Sequence, residues 1–228
     1  MSKSKIGNGY GSECHLLRYL GRHRCLLEKY ILEEINYETI NWLDFNFDCH
    51  AEWKDAELKG MDFLGDDLSI QKDWSNFWPQ SRGIHNWDAV GKITIKGNKE
   101  WLLVEAKSHI EEIESSCGAH NEGSIQKIKN AFTQTQKALG VSEEHDWLNG
   151  YYQYANRLAV LYFLVSHGIK AQLLFIYFLG DKFTGRKCPK TKDGWKLALN
   201  KQKQAIGLPE RHMLNDYIHE LFIPVCLS

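Results

Sequence analysis

The segment NWDAVGKITIKGNKEWLLVEAKSH, residues 86–109, restricts the fold more than any other part of the chain. It holds two short runs rich in Val, Ile, Thr and Trp on either side of Lys96-Gly97-Asn98-Lys99, where Gly and Asn supply turn chemistry. That pattern predicts a β-hairpin. A second apolar run, AQLLFIYFLG at 171–180, reads as a buried strand. INWLDFNFD alternates in part and suits another strand, and LFIPVCL near the C-terminus, with Pro224, suits a sheet edge.

Helical spacing appears between these strands. Leu16, Leu17, Leu20, Leu27 and Ile31 recur at three- and four-residue steps, which predicts one first helix from Ser12 to about Glu34 with Ser12 as its N-cap. Ile125, Ile128, Phe132 and Leu139 mark an amphipathic helix. Tyr151, Tyr154, Leu158, Leu161, Tyr162 and Val165 mark a more buried one ending at Gly168. Helical patterns recur near Trp195 to Ile206 and Met213 to His219, while 50–86 is rich in Asp, Trp and Lys without a clear period. The order favours an α/β sheet with helices on its faces. At 228 residues one domain over 1–228 suffices, with an insertion at about 41–84 and an extension at about 185–228.

Composition narrows the function classes. The 28 Lys and Arg nearly cancel the 29 Asp and Glu, so bulk charge does not coat nucleic acid, although a local basic groove is compatible with it. No apolar run approaches the roughly 20 residues of a membrane span, and no secretory leader pattern opens the chain, so a cytoplasmic protein is expected. The six cysteines form no C-x-x-C pair and the ten histidines no H-E-x-x-H spacing, so neither a zinc site nor a His or Cys nucleophile has support.

The chemistry gathers at Glu105-Ala106-Lys107. Residues two apart on a strand share a face, so Glu105 and Lys107 are neighbours. Antiparallel pairing across the turn brings Asp88 alongside the end of the strand that holds Glu105. Two hard carboxylates with water to complete the shell match what Mg²⁺ accepts, and an ammonium beside them can orient and activate a water. The sequence has three acid-x-Lys triplets, and of these Glu52-Trp53-Lys54 and Glu57-Leu58-Lys59 have no apolar strand leading into them. A surface ion pair at a strand end is the rival meaning. Against it, four apolar residues lead into Glu105, where an unpaired charge is costly.

Asp88 and Glu105-Ala106-Lys107, with 16 residues between the two acids, resemble the signature of the PD-(D/E)xK nuclease superfamily, the restriction-endonuclease-like enzymes. The resemblance covers the first helix and roughly 85–180, and Trp87 stands where the eponymous proline would be. It implies a mixed-sheet αβββαβ core and phosphodiester hydrolysis. Asp88 and Glu105 would hold Mg²⁺ or Mn²⁺ and Lys107 would position water. The partner would be nucleic acid, DNA by family habit, and a homodimer is compatible with such a class. It also implies an added metal carboxylate from the first helix, for which Glu13 is the candidate, although an acid in a first helical turn also complements the helix dipole. Gln153 and Arg157, four apart on the helix after the motif, match the polar face such enzymes turn to metal water or phosphate. The alternative is an inactive nucleic-acid-binding or structural module on the same fold.

Ser108 and His109 either touch substrate or end the strand. Trp74, Trp78 and Trp87, near Arg82 and His85, are either core or a surface on which bases stack.

Overall fold

The computed structural model describes residues 9–43, 57–65, 68–80 and 84–225. Among them five strands form one mixed sheet: β1 (Thr39–Trp42), β2 (Ala89–Ile95), β3 (Asn98–Lys107), β4 (Ala171–Leu179) and β5 (Ile218–Pro224), in that spatial order. β1, β2 and β3 are antiparallel, whereas β4 runs parallel to β3 and β5 parallel to β4. Between β2 and β3, Ile95 faces Asn98, so the loop is only Lys96 and Gly97. Both are left-handed, at φ 49° and 74°, which is the geometry that follows the right-handed strand twist in a two-residue turn.

A parallel β3–β4 pair needs a crossover, and α4 (Glu122–Leu139) with α5 (Tyr152–Ser166) provides it. α4 starts where Asn121 accepts a hydrogen bond from the Ser124 amide at 3.0 Å, and ends at left-handed Gly140. α3 (Leu68–Phe77) and α6 (Lys192–Ala205) extend this helical layer. α1 (Ser12–Arg22) and α2 (Arg24–Glu34) belong to the core of the other face.

The strands' two-residue period divides the core. Val90, Leu103, Leu173, Phe175 and Tyr177 pack with α5 residues such as Leu158 and Leu161. Ala89, Val104, Ala106, Leu174 and Ile176 pack with Leu16, Tyr19, Leu27 and Ile31 of α1 and α2. Each large side chain so covered contributes about 1.5–3 kcal/mol, and β4, covered on both faces, is apolar almost throughout. The buried indoles of Trp87, Trp147 and Trp195 donate to the carbonyls of Gly60, Ile206 and Phe178 at 2.9, 2.8 and 3.1 Å.

Four sequence expectations change. The first helix is two, broken at His23, whose carbonyl accepts from the amides of Leu26 and Leu27 as a new helix begins. The Arg24 Nε caps the Leu20 carbonyl freed by the break, at 2.9 Å. Gly11, not Ser12, occupies the N-cap position, and the Ser12 hydroxyl donates instead to Glu112 at 2.9 Å. Met213 to His219 yields only a 3-10 turn at Asn215–Tyr217, because pairing with β4 already claims Ile218. Within 50–86 the described part includes a 3-10 turn at Asp62–Leu64 as well as α3, so it is more regular than its composition indicates. Glu52-Trp53-Lys54, Arg82 and most of the strand expected beyond Trp42 lie outside the described residues. Pro224 closes β5, the last strand of the sheet, as its lack of an N–H requires.

Candidate functional site

The register that pairs Ala89 with Val104 sets Asp88 opposite Glu105. By the two-residue alternation both lie on the α5 face with Val90 and Leu103, as does Lys107. The hairpin thus brings together the three residues that the sequence singles out. Asp88 is half-buried. Its own amide donates to the Val104 carbonyl at 3.2 Å, and its Oδ2 accepts from the Ala106 amide at 2.6 Å.

Glu105 is 1% exposed, and two cations hold it. Lys107 Nζ pairs with Oε1. Arg157, itself 2% exposed, approaches Oε2 with Nη2 at 2.6 Å and Nε at 2.8 Å. The same Nη2 donates to the Asn86 carbonyl at 2.6 Å, and the guanidinium lies over the Trp87 ring at 4.5 Å. Arg157 therefore ties the segment carrying Asp88 to the strand carrying Glu105. A buried pair of this kind costs desolvation to form and is severely unfavourable to halve.

Electrostatics separate the two carboxyls. Burial pushes Asp88 up, the Glu105 charge adds to this, and Lys107, the Ala106 amide and Arg157 only partly offset them, leaving it at about 7. Burial acts in the same direction on Glu105, but the charges and hydrogen bonds of Arg157 and Lys107 outweigh it and hold the group below the usual range. Burial disfavours the Lys107 ammonium as well, yet Glu105, Asp88 and Glu112 together raise it above an ordinary lysine.

Gln153 and Arg157, expected to face substrate, fare differently. Gln153 lines a small cavity beside Glu105 and Lys107, and its backbone is held by the Ser115 hydroxyl at 2.8 Å. Arg157 is 2% exposed and each of its three nitrogens has a partner inside the protein, so among the described contacts it holds Glu105 and Asn86 and does not face a substrate, in contrast to its sequence reading. Glu13 is exposed in the first turn of α1, and among the described contacts it makes none with Asp88, Glu105 or Lys107. The dipole role accounts for its position.

Ser108 and His109 follow directly on β3, lead into a 3-10 turn at Ile110–Ile113 and are buried. Their amides converge on Glu112, which also receives the Ser12 hydroxyl, so α1 is fastened to the strand end beside Lys107. Nearby, Asp181 accepts the Gly11 amide at 2.9 Å and lies 2.9 Å from His15 Nε2. Sequence reasoning missed Glu112 and Asp181, because neither sits in a motif and only the fold brings them to Ser12, Ser108 and Gly11. Trp74, Trp78 and Trp87 are 3%, 2% and 0% exposed, so they are core and offer no surface to a base. His85 meets all three edge-on. Burial, then Arg157, drives its pKa well below the usual histidine value.

A divalent ion would have to use this donor set. Among the described residues no three His, Cys, Asp or Glu side chains gather as a ready-made ligand group. Two carboxylates with water completing the shell are what Mg²⁺ tolerates, and a cation relieves the Glu105 repulsion that adds to burial in raising Asp88 to about 7. The residues fit such an ion on the Asp88 side, where Oδ2 accepts only the Ala106 amide among the described contacts. Set against protein-family models, curated proteins and solved structures, the chain matches none. Among the described residues no helix is long and apolar enough to cross a membrane.

Proposed function

We propose that this chain is a Mg²⁺- or Mn²⁺-dependent phosphodiesterase acting on nucleic acid, DNA first, on a restriction-endonuclease-like fold. The coarse order supports the reading: helices, the antiparallel strands β1 to β3 interrupted by α3, a helical crossover and the parallel strand β4, beside the αβββαβ core that the resemblance implies. The observation that carries the reading is Asp88 facing Glu105 with Lys107 two residues further on the same face, and Asp88 raised to about 7 by burial first and the Glu105 charge second.

Asp88 and Glu105 would hold the ion, which when bound neutralises charge growing on a phosphoryl group. Lys107, charged and 11% exposed, is fixed by Glu105 and keeps N–H donors to orient a water for attack. Arg157 works at one remove, holding Glu105 and the Asn86 carbonyl so that the two acids keep their register.

A second reading has its own support. Each oxygen of Glu105 already pairs with a cation, Oε1 with Lys107 and Oε2 with Arg157, so that acid is compensated without a metal, as suits a module that binds without cutting. Digestion of plasmid DNA and of a single-stranded RNA in Mn²⁺ buffer separates the two. Metal-dependent cleavage that falls at least about 100-fold in Lys107→Ala supports hydrolysis. Cleavage unchanged by that substitution overturns the role of the lysine, and no cleavage of either polymer favours the module.

A further inference from the structure

α6 places one polar group where the apolar layer should continue. Gln202 is 2% exposed, and its Oε1 is buried with no hydrogen-bond partner among the described residues. An orphaned buried acceptor is costly, and in a folded protein it normally meets an ordered water. Gln202 lines a cavity of ≈ 10 Å³ whose wall also holds Glu105, Lys107 and Gln153 beside the apolar Ile113 and Phe175. That volume is about what a single water needs, and Gln202, Glu105 and Lys107 can supply the two to four partners it seeks.

The hydrogen-bonding capacities balance around one molecule. Glu105 Oε2 already receives two donors from Arg157, whereas Oε1 receives only Lys107 and keeps a lone pair. Lys107 has three N–H groups and gives one to Glu105, leaving donors to spare. We infer that the cavity between α6 and β3 is a binding site for one water molecule, which donates to Gln202 Oε1 and Glu105 Oε1 and accepts from Lys107 Nζ. The water joins α6 to the charge cluster and completes the shell of Glu105 on the side that Arg157 does not reach.

A crystal structure at about 1.5 Å, grown without divalent ions and then soaked in Mn²⁺, tests this. The expected result is one water peak within hydrogen-bond reach of Gln202 Oε1 and of Glu105 or Lys107, with no anomalous manganese signal at that point. The peak should be lost in Gln202→Met, which fills the cavity with an apolar chain of similar length, and kept in Gln153→Ala. Three results overturn the inference: no peak in wild type, a peak that gives the manganese signal, or a Gln202 amide bonded directly to the Tyr154 or Tyr177 hydroxyl. Should Gln202→Met fail to fold, the wild-type map alone decides. Manganese bound at Asp88 bears on the phosphodiesterase reading and leaves the water site untouched.

Discussion

Replacing Asp88 by Asn should stabilise the folded chain at neutral and alkaline pH. A carboxyl whose pKa is raised on folding favours the folded state only while it is protonated. For Asp88 that contribution is fully present below the ordinary value of 3.8 and is lost as pH rises through about 7. The gap is roughly three pH units, or about 4 kcal/mol at 1.36 kcal/mol per unit, when both states are ionised. Relaxation of the charges around Lys107 and water entry at the half-buried site reduce this, so about 2–4 kcal/mol is the working expectation at pH 8. Asn keeps an oxygen to accept the Ala106 amide, now 2.6 Å from Oδ2, so little else is disturbed. Urea denaturation of wild type and Asp88→Asn at pH 4, 5, 6, 7 and 8 measures it. The advantage of Asn should be small at pH 4, grow with pH and level off above about 7. A difference that does not change with pH, or an Asn variant less stable than wild type at pH 8, refutes the idea that Glu105 and burial leave Asp88 overcharged.

Arg157→Met should cost about 3–5 kcal/mol in the same denaturation assay, because it leaves Glu105 buried with Lys107 alone. Arg157→Lys should recover only a fraction of that, since one ammonium cannot reach Oε2 twice, the Asn86 carbonyl and the Trp87 ring together, and full recovery would reduce Arg157 to a point charge. Trp74→Ala should cost about 3–5 kcal/mol whether or not nucleic acid is present, as a core indole does, whereas a stacking surface would lose nucleic-acid affinity with stability unchanged. Glu13→Gln should leave manganese affinity unchanged in titration calorimetry, and a fall of tenfold or more would return Glu13 to the site.

The sheet was legible because its strands carry local signals: the Lys96-Gly97 turn fixes the β2–β3 register, and that register alone brings Asp88 to Glu105. The two-residue period then puts Lys107 on the same face. What could not be read lies in contacts distant along the chain. Nothing in the helical pattern of 152–166 says whether Arg157 points to solvent or reaches Glu105, 52 residues earlier. The break at His23 was hidden because both halves keep an apolar stripe, from Leu16 to Leu20 and from Leu27 to Ile31. The tryptophans before Asp88 were ambiguous for a related reason, since an aromatic cluster has the same spacing whether α4 and α5 cover it or leave it bare.

Titration calorimetry with MnCl₂ on wild type and on Asp88→Asn bears most directly on whether the paired acids form a cation site. The expected result is one Mn²⁺ bound per wild-type chain and binding at least about tenfold weaker in Asp88→Asn, a loss of about 1.4 kcal/mol. Wild type that binds no Mn²⁺, or a variant that binds it equally well, contradicts a cation site at Asp88 and Glu105 and leaves the cluster a buried charge network.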